Sequence, residues 1–180
     1  MDEAPRTELA MSTAHFLTET DLRQGEYRNL TRGINTAFLL EIKEDHAEFR
    51  TLLHRAEQRL RQHSAIKPRE LADLLGRLRD EMETYFSLEE FYGGFELASH
   101  ADASVARTVA RLKQQHEQLY TALNDLVERA EQIAYHEVPA NRLRGLVEDF
   151  WRFTGDLRRH EDAELDVISR QAAWDIGGGD

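Results

Sequence analysis

Four stretches of the chain place inward-type residues at alternating spacings of three and four. The first runs Leu39, Ile42, His46, Phe49, Leu53, Ala56, Leu60, and the second Leu71, Leu75, Leu78, Met82, Tyr85, Glu89, Tyr92. The third runs Val105, Val109, Leu112, His116, Leu119, Leu123, Leu126, and the fourth Leu146, Phe150, Phe153, Leu157, His160, Glu164, Val167. Such spacing puts one stripe of an α-helix against a core, and the period-two alternation of strands is absent. Pro68 and Pro139 fit the first turn of a helix, where no N–H is missed. Asp102 is placed to cap the third helix, and the glycines of DIGGGD end the fourth. The connections are short, so neighbours should run antiparallel. The pattern predicts an all-α, up-down-up-down four-helix bundle of about 30 residues per helix, each about 45 Å long. The bundle should occupy residues 33–174, with a polar arm over 1–32 and a tail over 175–180.

Polar residues interrupt all four stripes. His46, Tyr85 with Glu89, His116, and His160 with Glu164 stand where a core needs apolar side chains. Residues four apart share a helix face, so His160 can act with Glu164, and Tyr85 with Glu89. A buried carboxylate is costly unless it is paired or bound to a metal. A separate partner for each group would be needed otherwise; one shared site satisfies them together, as in carboxylate-bridged di-iron and di-manganese bundles. His54, eight residues after His46, falls about 80° off the stripe and serves as a control. His63, His100 and His136 fall near helix ends and His15 lies in the arm, so the stripes select three of the 8 histidines.

Composition narrows the partners. Against 23 basic residues stand 34 acidic ones, a net charge of −11, which disfavours nucleic acid and anionic membrane. The absence of cysteine excludes disulfides and thiolate ligands. The N-terminal segment has no apolar core of the secretory kind, and no run reaches membrane-spanning length, so a soluble cytoplasmic protein is expected.

Four local motifs then acquire a common meaning: DHAEF around His46, YFSLEEFYGGFE around Glu89, LKQQHEQL around His116 and LRRHEDAEL around His160 and Glu164. In this order, over roughly residues 34–170, they resemble the hemerythrin-like (HHE cation-binding) domain family, and the ending AWDIGGGD is similar to that of a bacterial subgroup. The resemblance implies two non-haem irons with an oxo or hydroxo bridge. His46 would bind one iron, His116 and His160 the other, and Glu89 and Glu164 would bridge both. The family normally has a histidine where this chain has Tyr85. That leaves three readings of Tyr85: a phenolate ligand, a neighbour that does not bind, or the mark of a site holding one metal or none. A free phenol has a pKa of about 10, which a bound ferric ion can overcome. Phenolate ligation would favour Fe(III) and so work against reversible oxygen storage.

The expected function is binding or turnover of a small oxidant (O2, peroxide or NO) at this centre, with electrons from an external donor, since no flavin or nicotinamide fingerprint occurs. A non-enzymatic iron, oxygen or redox sensor or store is the first alternative, and a metal-free helical interaction module the second. Gly93-Gly94 reads either as a helix end or as a missing side-chain wall opening a path to the metals, with Tyr92 as a hydrogen-bond donor near that opening.

Overall fold

Helix is the regular structure of the described residues, which in this computed structural model are 36–62, 67–93, 95, 103–135 and 140–177. In chain order the helices are α1 (Thr36–Asp45), α2 (Ala47–Arg61), α3 (Pro68–Tyr92), α4 (Ala103–Tyr135) and α5 (Ala140–Gly177). No strand forms among the described residues. The expected arm, the proposed cap Asp102, Pro139, and His15, His63, His100 and His136 lie outside them. Pro68 does open α3, in its first turn. The last helix continues through Gly177, so the first residues assigned to the tail are helical.

The first stripe is two helices instead of one. His46 has ψ of 51°, against about −42° in a helix, and separates α1 from α2. The chain keeps its course across the break. The His46 N–H still reaches the Ile42 carbonyl at 3.0 Å, and the His46 carbonyl accepts from Arg50 N–H at 3.3 Å. The buried face of α2 keeps Phe49, Ala56 and Leu60 from the expected stripe and adds Leu52 and Glu57. Leu53, expected on the inward stripe, is half-buried and packs against the core at the edge of this face.

Side-chain contacts show how the helices run. Arg59 reaches Glu70 and Glu48 reaches Arg77, so α2 and α3 lie in opposite directions. Glu90 meets Lys113 while Arg79 meets Asn124, which does the same for α3 and α4. His160 meets Gln115 while Asp149 meets Arg129, aligning α4 against α5. Two apolar clusters form the core. The larger includes Phe49, Leu52, Leu75, Met82, Leu123, Phe150 and Leu157. The smaller is Leu39, Phe95, Val109, Leu112 and Ile168. The buried polar residues Glu89, His116, His160 and Glu164 belong to neither.

Gly93 ends α3, its N–H bonded to the Glu89 carbonyl at 2.9 Å. It is buried, and a Cβ there would stand 2.7 Å from Leu39 Cδ2 and closer still to the Glu89 carbonyl oxygen. The glycine therefore lets α1 close on the end of α3, as the helix-end reading expects; Gly94 lies outside the described residues. Gly93→Ala should destabilise the fold by about 1–3 kcal/mol, the usual cost of overpacking. Urea denaturation checks this, and an unchanged midpoint would mean that the contact is dispensable.

Candidate metal centre

Glu89 from α3, His116 from α4, and His160 and Glu164 from α5 meet in the bundle interior. One donor atom from each lies within 4.8 Å of all the others, and all four residues are buried. His160 Nε2 stands 3.1 Å from Glu164 Oε1, and His116 Nε2 stands 3.6 Å from the same oxygen. His116 Nε2 is 3.5 Å from Glu89 Oε2. Yet Glu89 Oε1 and Oε2, Glu164 Oε1 and both Nε2 atoms have no hydrogen-bond partner. Buried polar atoms are normally satisfied, and leaving one unpaired costs about 1–3 kcal/mol. One such atom from each of the four residues faces the others, and together they form a donor set that a cation would satisfy. Two imidazoles and two carboxylates suit borderline and hard divalent metals, iron among them.

The outer nitrogens of both histidines are occupied. His116 Nδ1 lies 2.8 Å from Glu90 Oε1, and His160 Nδ1 lies 3.1 Å from Gln115 Oε1. A carboxylate and an amide oxygen only accept, so each Nδ1 carries a proton, which leaves Nε2 as the nitrogen that would bind a metal. Ring contacts fix the orientation further. Phe86 stacks on His116 at 4.0 Å between centroids, and Phe95 lies near parallel to the same ring at 6.0 Å. Glu90→Gln weakens the acceptor without changing its size. It should lower metal affinity about 10-fold or more, as loss of such an orienting partner does. Calorimetric titration with ferrous iron under anaerobic conditions reads this directly, and equal affinity would show that Glu90 does not orient His116.

Lys43 completes the layer. Its ammonium lies 2.5 Å from Glu164 Oε2, 3.6 Å from Glu89 Oε1, and 3.0 Å from Tyr85 Oη, to which it donates. Burial would lower the pKa of Lys43, but Glu164 and Glu89 outweigh it and hold it above the ordinary lysine value. Burial likewise works against ionisation of Glu164; the neighbouring His116, His160 and Lys43 overcome it and keep Glu164 an anion. Glu89 is pushed up, first by burial and then by the charge of Glu164. Burial, then the two carboxylates, push the Tyr85 phenol far above its ordinary value.

The six residues expected as ligands thus divide. Glu89, His116, His160 and Glu164 converge. Tyr85 is 3% exposed and next to them, with its hydroxyl on Lys43. His46 is half-buried, edge-on to the Tyr85 ring at 5.0 Å, and is not among the convergent donors. Tyr92 is 47% exposed and packs on Phe38 and Phe91, at the surface end of α3 and away from the role expected of it. His54 is exposed and contacts Gln58. Sequence reasoning missed Lys43, Glu90 and Gln115. The available signal for Lys43 was its position one turn after Leu39 and three residues before His46, beside the stripe. A groove of about 240 Å³ between α3 and α4, lined by Phe86, Glu90, His116 and Tyr120 among others, reaches the His116 side of the centre.

The hemerythrin HHE cation-binding domain matches this chain over residues 38–171, which includes every helix-borne group of the centre. The chain belongs to the hemerythrin HHE family. Comparisons with curated proteins and with solved structures yield no match. For this hemerythrin-like chain, family membership and the buried Glu–His–His–Glu group together point to iron as the metal the site would hold. No helix among the described residues is long and apolar enough to cross a membrane.

Proposed function

We propose that this hemerythrin-like protein is an up-down-up-down four-helix bundle that holds iron through Glu89, His116, His160 and Glu164 and binds or turns over a small oxidant there. O2, peroxide and nitric oxide are the oxidants of suitable size. The observation that carries the reading is the convergence of one buried donor atom from each of Glu89, His116, His160 and Glu164, none of them with a hydrogen-bond partner. Iron at such a site supplies Lewis acidity and electrons to the oxidant. The chain supplies the rest. His116 and His160 offer Nε2 to the metal because Glu90 and Gln115 hold their Nδ1 protons. Glu89 and Glu164 bring two carboxylates into a buried layer. Phe86 and Phe95 pack near parallel to the His116 ring and hold its orientation. Turnover would draw electrons from an external donor. His46 and Tyr85 would complete a second metal position only if Lys43 vacated it.

The test exposes iron-loaded protein to O2, peroxide and nitric oxide in turn, following its absorption spectrum and the consumption of each. Steady consumption of one oxidant, lost in His160→Ala, supports turnover. A stoichiometric spectral change without consumption supports binding, as in a sensor or store. No response to any of the three would contradict the proposal.

A further inference from the structure

Both acidic residues of the centre point one oxygen each way. Glu164 directs Oε1 to His116 and His160, and Oε2 to Lys43. Glu89 directs Oε2 to His116 and Oε1 to Lys43. Two carboxylates that each span two positions are the arrangement of a pair of bridged cations. Here one position is bounded by the two histidines, and the ammonium of Lys43 fills the other. The surroundings of that ammonium are those of a metal position: Glu164 Oε2, Glu89 Oε1 and the Tyr85 hydroxyl, with His46 against the Tyr85 ring.

We infer that Lys43 takes the place of a second metal, so that the centre binds one iron beside a built-in ammonium. The inference rests on the iron-site reading above and changes its count from the two irons that the family pattern implies. Its physical basis is charge. Two buried carboxylates attract positive charge, and Lys43 already provides one unit at contact distance. A second divalent ion would have to expel that ammonium or share its position against like-charge repulsion. Tyr85 fits the same account. A histidine there would offer a lone pair to a metal, whereas the phenol accepts the Lys43 proton as a hydrogen bond. The lysine stem also reaches the layer with only 16% of the side chain exposed, so the charge is held inside and not in bulk water.

The consequences are an iron site with one ion, no phenolate-to-iron charge-transfer band, and a fixed hydrogen-bond donor beside the iron-bound carboxylates. The experiment is anaerobic titration of the full chain with ferrous iron, with elemental analysis of the loaded protein. Wild type should saturate near one equivalent, and so should Lys43→Arg and Tyr85→His, which keep the cation. The double variant Lys43→Met with Tyr85→His should rise to near two, its second site binding at least 100-fold more tightly than any second site of wild type. Circular dichroism confirms that each variant is helical, and Tyr85→His tests the inference with the charge pair intact. Two irons in wild type would overturn the inference and leave the iron-site reading standing. So would a double variant that is folded and remains at one. No iron in wild type would overturn both.

Discussion

Glu164→Gln should destabilise the metal-free protein by about 3 kcal/mol and lower iron affinity at least 100-fold. The substitution keeps size and shape, so no cavity forms. What it removes is the anion 2.5 Å from the Lys43 ammonium, and truncating one partner of a buried pair costs about 3–5 kcal/mol because the other charge is left uncompensated. The lower end applies because Glu89 lies 3.6 Å away and Lys43 is not wholly shielded from water. In a chain of this size that corresponds to a fall in melting temperature of about 6–12 °C. The double variant Lys43→Met with Glu164→Gln removes both charges and should recover most of the loss, a coupling that a mutant cycle measures. If Glu164→Gln melts within a degree or two of wild type, the pair makes no net contribution. If the two substitutions simply add, the charges are not coupled.

Stripping iron from the loaded protein should have an effect of similar size. A ligand that binds only the native state stabilises it by about 4.1 kcal/mol at a free concentration 1,000 times its dissociation constant. For this chain length that is a fall in melting temperature of about 8–16 °C on adding chelator. The loss should be restored by ferrous iron and absent in His160→Ala, whose Nε2 lone pair is gone. An unchanged melting temperature would mean that the five unpartnered donor atoms are tolerated as they stand, and the metal-free interaction module would then be the better account.

The helices and the four convergent donors were legible because both follow from one period. Glu89, His116, His160 and Glu164 occupy turns whose neighbours, such as Met82, Leu112, Leu119 and Leu157, are fully buried or nearly so. Polar groups in phase with such residues must share their interior. The break at His46 was not legible, since neither glycine nor proline marks it and only the backbone rotation reveals it. Leu52 is fully buried and Leu53 half-buried, because a stripe that advances by three or four residues admits either as the next inward position. Tyr92 kept the phase of its stripe but lies at the surface, as the last residue of α3. Lys43 was hidden for a different reason. A lysine beside an apolar stripe ordinarily carries its charge outward along a flexible stem, and here the carboxylates of two other helices draw the charge inward. Glu90 follows Glu89 directly and so reads as solvated, yet its carboxylate turns back to His116 Nδ1. Partners set by side-chain reach across helices leave no periodic trace in the chain.

The most direct test of the centre is the X-ray absorption spectrum of the iron-loaded protein, analysed for the multiple scattering that imidazole rings produce. The account predicts a shell of nitrogen and oxygen with two imidazoles per iron, falling to one in either His116→Ala or His160→Ala. With a net charge of −11 the chain can also gather iron on its acidic surface. A shell of oxygen alone, unaltered by those two substitutions, would place the iron there and contradict a buried Glu–His–His–Glu site.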